Sequence, residues 1–266
     1  SRQLYKDLPI GTAAPTPEQM ARVKHYMVGT LSLTDYYSAS NFEEDVVSLL
    51  SELHKTIPTV VMTGGSMMYI DAVCKGIDDI PTISPELRTG LMEVYEREGL
   101  ESIRQMLKEL DPVFYGQVDL NNGKRVLHAV EVCCMAGVPY SSLRKNTPKD
   151  RGFRIVRIGL NREREELYAR IDRRVDLMLE EGLEDEARRL WPLRHLNALN
   201  TVGYKELFDY FEGKTDYAEA VRLIKRNSRR YARKQLSWFR RDDDIRWFHP
   251  DDYEGIVEAI RLMKIG

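Results

Sequence analysis

The sequence predicts an α/β protein: a parallel sheet with helices packed on it, into which a block of helices is inserted. Three observations carry this. A strand, helix, strand pattern runs over residues 25–65, purely helical patterning fills residues 81–140, and a strand resumes over residues 153–160. A strand that returns through a helix to another strand favours parallel pairing, and such sheets keep their functional loops at the carboxyl ends of the strands.

Taken in order, "HYMVGTL" (residues 25–31) reads as the first strand. The segment "NFEEDVVSLLSELHK" has helical period, with Phe42, Val46, Leu49 and Leu53 on one face. "TIPTVVMTGG" (residues 56–65) is a β-branched run bounded by Pro58 and Gly64, so it reads as the second strand, with "GGSMMY" at its carboxyl end. The inserted block opens with "SPELRTGLMEVYEREG", where Ser84 is an N-cap ahead of Pro85. It continues through "LESIRQMLKELD" and "GKRVLHAVEVCCMAG". After the strand "FRIVRIGL" come the helices "REELYARIDRRVDLMLEEG" and "DYAEAVRLIKRNSRRYARKQLSWF", then a short strand "IRWFH". Residues 1–76 and 152–266 are thus expected to form the core and residues 77–151 the insertion.

Bulk composition narrows the class. With 266 residues, 42% apolar and 31% charged, the chain matches an ordinary soluble globular protein. No apolar run reaches the length of a membrane span, and the first residues are not a signal sequence, so a cytoplasmic protein without membrane attachment is expected. The cysteines are Cys74, Cys133 and Cys134, without C-x-x-C or histidine spacing, which suggests neither zinc nor a disulfide framework. His25, His54, His128, His195 and His249 are scattered.

The charge is segregated. Formal net charge is −2, yet from Arg222 to Arg241 no acidic residue occurs to supply i,i+4 partners. On a helix Val221, Ile224, Ser228, Tyr231 and Trp238 fall near one stripe, and Arg226, Arg229, Arg230 and Arg233 crowd the other side. Aromatic residues interleaved with cations suit a polyanion with stackable bases, the alternative being a solvated helix face. A search for a phosphate loop finds "EGKTD", but Phe208 stands where the first glycine of such a loop is needed, so it reads as a turn. In "TGGSMMY" the glycines admit either a ligand or a packed neighbour, and Ser66 opens a helix.

Seven segments in order, "SRQLYKDLPIGTAAPT", "GGSMMY", "PELR", "NNGKRVLHAVEV", "LYARIDRRVDLML", "TVGYKEL" and "RNSRRYARKQLSWFRR", resemble the tRNA dimethylallyltransferases, also called tRNA isopentenyltransferases, essentially end to end. The resemblance implies transfer of a dimethylallyl group from dimethylallyl diphosphate to the exocyclic N6 amine of the adenosine 3′-adjacent to the anticodon in tRNA, with Mg2+. It also implies a P-loop NTPase-like parallel sheet core with an inserted helical domain that grips the anticodon stem-loop. Arg174 matches the arginine at the reacting diphosphate, where a guanidinium stabilises charge that grows as the carbon–oxygen bond breaks. Its neighbours Arg170 and Arg173 are expected to ion-pair with Asp172, Glu165 and Glu166.

Ser66, Arg88, Lys124, Arg125, Val126, Leu127 and His128 match positions that contact tRNA in the family. So do Asn200, Thr201, Val202, Gly203, Tyr204 and Lys205, and, at the far end, Arg233, Lys234, Gln235, Trp238 and Arg240. Ser1, Arg2 and Gln3 match the end of a D-S-x-Q segment whose aspartate is the base toward the amine, and Gln3 is expected beside the target base. That aspartate, the first strands and the phosphate loop are not in this sequence, so the chain as it stands is expected to be inactive and to hold no metal ligand of its own. A monomer is expected. The competing readings are a nucleotide-kinase-like phosphotransferase and a non-catalytic RNA-binding protein.

Overall fold

The computed structural model describes residues 1–145 and 147–265. Two compact units divide the chain: Ser1–Ser38 with Val61–Ile70 and Phe153–Gly266, and Ala39–Val60 with Asp71–Gly152. The helices run in order α1 (Pro17–Arg22), α2 (Ala39–Leu53), α3 (Met67–Lys75), α4 (Pro85–Glu98), α5 (Leu100–Leu110), α6 (Pro112–Tyr115), α7 (Gly123–Ala136) and α8 (Tyr140–Leu143). Strand β1 (Ile158–Leu160) follows, then α9 (Arg164–Glu180), α10 (Leu183–Leu190), α11 (Tyr204–Phe211), α12 (Tyr217–Phe239), β2 (Arg246–Phe248) and α13 (Tyr253–Ile265). Among the described residues no helix is long and apolar enough to cross a membrane.

The first unit is α/β. β1 and β2 pair in parallel, with Ile158 opposite Arg246 and Leu160 opposite Phe248. Its core gathers Leu8, Val175, Leu183, Ala187, Leu199, Tyr204, Leu207 and Ile224, contributed by the N-terminal segment and by α9 to α12. α12 starts at Asp216, whose carboxylate accepts from the Glu219 amide at 2.7 Å, and Ala220 and Ile224 anchor it to that core. Tyr231, expected on the packed stripe, is exposed.

At the centre of this unit the Glu186 carboxylate is wholly buried. It accepts from the Ile10 amide at 3.0 Å, the Gly11 amide at 2.9 Å and the Tyr204 hydroxyl at 2.6 Å. A buried carboxylate needs such donors, since desolvation without them costs several kcal/mol. The Tyr204 ring lies where a Cβ on residue 11 would sit, so only glycine admits this approach.

The strand expectations are only partly met. Residues 25–31 make a single parallel bridge, Leu31 to Tyr5, because Met27 and Gly29 take positive φ and break the extended run. Instead the segment hangs on the N-terminal turn, with the Gly29 amide donating to the Gln3 carbonyl at 2.8 Å and the Leu31 amide to the Leu4 carbonyl at 2.9 Å. Residues 56–65 form no strand among the described residues, and Ile57, Val61 and Met62 are exposed. β-branched residues favour a pleated surface only where a neighbouring strand supplies the ladder, and among the described residues none lies beside this run. Of residues 153–160 only β1 is regular.

The second unit is helical. α4, α5, α6 and α7 pack Leu91, Ile103, Leu107, Phe114, Val126, Leu127 and Val130 together. Ser84 caps α4, its hydroxyl accepting from the Leu87 amide at 3.2 Å, with Pro85 in the first turn as the sequence predicts. Asp111, wholly buried, accepts from the Phe114 amide at 2.9 Å and from the Ser141 amide and hydroxyl at 2.6 and 2.8 Å. α2 also belongs here: buried Glu43 accepts from the Ile77 amide at 2.7 Å and from Arg151 at 2.9 Å. The compact unit is therefore wider than residues 77–151.

Replacing Glu186 by alanine should strand two backbone donors and a buried phenol, lowering stability by about 3 kcal/mol or more in urea unfolding. Tyr204→Phe, which leaves the carboxylate its two amide donors, should cost about 1 to 2 kcal/mol. Equal, near-zero losses would show that the node does not hold the unit together.

Candidate nucleic-acid interface

The basic helix divides into two parts. In its first half three cations are paired, Arg222 with Glu219 at 2.6 Å, Lys225 with Asp176 at 2.6 Å, and Arg229 with both carboxylate oxygens of Asp172, while Arg226 donates to the Asn227 side chain at 3.3 Å. Glu219 belongs to the first turn of α12 itself, whereas Asp172 and Asp176 come from α9 packed beside it. Beyond Arg229 this stops. Arg230, Arg233, Lys234 and Arg240 are exposed and form no ion pair among the described residues. Arg241 donates to the Trp238 carbonyl at 3.0 Å and places its guanidinium 3.9 Å from the Trp238 ring centroid. Uncompensated cations on one stretch of surface create a local positive potential, which attracts polyanions.

The Gly-Gly-Ser loop docks on this unpaired half. Gln235 donates to the Gly65 carbonyl at 2.7 Å, and a Cβ on residue 65 would overlap the Gln235 amide, so Gly65 serves packing. Ser66 accepts from the Ser1 nitrogen at 2.6 Å. Gln3 donates to the Thr12 and Ala13 carbonyls at 2.9 and 2.8 Å, which fixes its amide so that the side-chain oxygen remains as an acceptor. Arg2, half-buried, lies with its guanidinium 6.0 Å from the Tyr5 ring centroid. Ser1, Ser66 and Gln235, far apart in sequence, thus meet in one locus.

The remaining positions separate into surface and core. Asn200 and Lys205 are exposed, and Thr201 and Val202 are half-buried. Gly203 is buried, with its amide donating to Glu206 at 2.8 Å. Tyr204 is wholly buried on Glu186, and burial, followed by that hydrogen bond, pushes its phenol well above the usual range. Tyr204 matches a position expected to contact tRNA, yet its side chain is core and presents no surface to RNA here. Val126 and Leu127 are likewise core side chains, while Lys124, Arg125 and His128 on the same helix are exposed. Arg88 donates to buried Glu131 at 3.2 Å, with His128 at 3.5 Å from the same carboxylate.

Arg174 is exposed on the face of α9 opposite Asp172, Val175 and Asp176, and it has no ion pair among the described residues. The pairs expected for Arg170 and Arg173 do not form. Asp172 is taken by Arg229, and Glu166 by Arg162 at 2.5 Å. Lys214 in "EGKTD" contacts Glu212 at 2.5 Å and Asp209 at 3.2 Å, in keeping with a turn. Among the described residues no three His, Cys, Asp or Glu side chains converge as a metal site.

The two most telling residues, Glu186 and Gln235 in its packing role, escape a reading by motif. A carboxylate on the apolar face shared by Leu183, Ala187 and Leu190 is the signal that marks Glu186. Nothing in local spacing marks the pairing of Gln235 with Gly65.

An α/β unit whose longest helix ends in unpaired cations offers a surface of positive potential that suits a polyanion. Residues 3–242 match the IPP transferase family, and the chain belongs to it. Among similar proteins, tRNA dimethylallyltransferase 2 of Parabacteroides distasonis is 73% identical over 256 residues, covering 96% of this chain and 86% of that protein. The crystal structure of the full-length tRNA isopentenylpyrophosphate transferase from Bacillus halodurans is 33% identical with a TM-score of 0.68, covering 100% of this chain and 85% of that one. A eukaryotic dimethylallyltransferase acting on tRNA, 22% identical, shares the fold with a TM-score of 0.79 over 94% of this chain and 65% of that one.

Gly65→Ala should destabilise the protein by about 1 kcal/mol, by displacing the Gln235 amide from the Gly65 carbonyl. In a double-mutant cycle by thermal unfolding, adding Gln235→Ala should recover part of that loss. Additive losses would separate the loop from the helix.

Proposed function

We propose that the chain is a tRNA dimethylallyltransferase, acting as a cytoplasmic monomer on the anticodon stem-loop of tRNA. The N6 amine of the adenosine 3′-adjacent to the anticodon attacks the allylic carbon of dimethylallyl diphosphate. The carbon–oxygen bond breaks, the diphosphate leaves with the electron pair, and the N6 proton passes to a general base. The family match favours this over the kinase-like and non-catalytic readings. The observation that carries the RNA-facing part is the unpaired half of α12, with Gln235 bound to the Gly-Gly-Ser loop beside the N-terminal turn.

In this reading Arg230, Arg233, Lys234 and Arg240 hold phosphates, and the acceptor oxygen of Gln3 faces the N–H of the target amine. Ser1, Arg2, Ser66 and Trp238 line the approach, with Asn200, Thr201 and Lys205 along one loop and Arg88, Lys124, Arg125 and His128 on the helical insertion. Arg174 stabilises the departing diphosphate, a planar fork suited to two phosphate oxygens. Magnesium would neutralise charge on the diphosphate, and no residue of this chain is assigned to hold it.

Arg233→Ala with Lys234→Ala should weaken tRNA binding and reduce the log–log salt slope by roughly 0.7 to 0.9 per lost phosphate contact. An unchanged slope would return the run to a solvated face. In the enzyme, Arg174→Ala should lower single-turnover prenyl transfer by about 10² to 10³ with tRNA affinity nearly unchanged. Arg174→Lys should recover little. A normal rate would remove Arg174 from the chemistry, and a defect confined to tRNA affinity would move it to the RNA surface.

A further inference from the structure

The short helix α8 follows α7. Tyr140 opens that helix and Arg144 stands just past its end. Phe114 is buried and meets Tyr140 edge to face, with ring centroids 4.8 Å apart. The Arg144 guanidinium lies over this pair, 5.3 Å from the Phe114 centroid and 5.7 Å from that of Tyr140. Arg144 is nevertheless exposed, and it makes no ion pair among the described residues. The His128 ring packs against Tyr140 at 5.8 Å, so the two helices present one continuous surface.

This arrangement differs from a loose surface arginine. Cation–π contact with a fixed aromatic pair restricts the rotamers of this exposed guanidinium in advance, and a guanidinium so held suits two phosphate oxygens. The Tyr140 hydroxyl has no hydrogen-bond partner among the described residues. Burial raises the Tyr140 pKa, the fields of Arg144 and Arg125 lower it, and Asp78 raises it again. The net shift is upward, so the phenol remains a neutral donor beside two guanidinium groups.

We propose that Arg144 and Tyr140, together with Arg125 and His128, form an additional subsite for RNA phosphodiesters on the helical unit, beyond the positions that the family resemblance assigns. The proposal rests on the reading of the chain as a tRNA-modifying enzyme. Arg144 supplies the charge and the bidentate fork, and Tyr140 supplies the platform and a neutral hydrogen bond.

The test is binding of a fluorescein-labelled anticodon stem-loop RNA to the full chain, followed by anisotropy over about 50 to 200 mM salt. Arg144→Gln should weaken binding roughly tenfold at low salt and reduce the log–log slope by about 0.7 to 0.9. Arg144→Lys should restore the slope but only part of the affinity. Tyr140→Phe should weaken binding roughly threefold with no change in slope. If wild type binds with a salt-dependent slope and Arg233→Ala with Lys234→Ala reduces it while Arg144→Gln changes nothing, the subsite is overturned and the functional reading stands. Loss of affinity in Arg144→Gln without a change in slope also overturns it, as packing damage. If wild type shows no salt-dependent RNA binding, both fall together.

Discussion

The first unit depends on one buried carboxylate. Glu186 joins three parts of the chain that have no local reason to meet: the turn at Ile10 and Gly11, helix α10, and Tyr204 at the start of α11. Removal of a carboxylate from water is tolerable only because three donors surround it, so the N-terminal turn is held as tightly as the core. The same turn offers the Thr12 and Ala13 carbonyls that orient Gln3, and just before it stands Ser1, which meets Ser66. The geometry of the candidate site therefore rests on an interaction that touches no substrate.

Charge is partitioned by tertiary contacts. Asp172 and Asp176 on α9 neutralise Arg229 and Lys225, and this seats α9 against the first half of α12. These pairs are part-buried and act as positioning contacts, whereas exposed pairs such as Arg222 with Glu219 contribute little. The consequence lies in what remains: Arg230, Arg233 and Lys234 on the half of α12 that also carries Gln235, and Arg240 just past its end. Pairing within the fold thus decides which arginines of a uniform run are available to a polyanion.

The helical unit uses the same device with different donors. Glu43, Asp111 and Glu131 are buried, and each collects donors from separate segments, Asp111 from the start of α6 and from Ser141. Ser141 lies beside Tyr140, so the Asp111 staple also fixes the aromatic pair under Arg144. Glu131 takes a guanidinium N–H of Arg88 and lies close to His128, which ties a basic face to its core without neutralising Lys124 or Arg125.

The sequence by itself determined the helices α2, α4, α5, α7, α9 and α12, and the family. Helical period and caps are local: Ser84 ahead of Pro85 is legible because the capping hydroxyl and the donor it satisfies lie within one turn. Ordered motifs such as "TVGYKEL" and "RNSRRYARKQLSWFRR" identify a family whatever their side chains touch. Only the tertiary structure decided the strands, since residues 25–31 turn at Met27 and residues 56–65 have no neighbour to pair with. It also decided that Tyr204, Val126 and Leu127 are core and that Asp172 belongs to Arg229 and not to Arg170 or Arg173. The reason is physical. A cap or an amphipathic period is satisfied within a few residues, whereas a ladder, a buried donor or an ion pair between helices is satisfied by residues brought close only by folding.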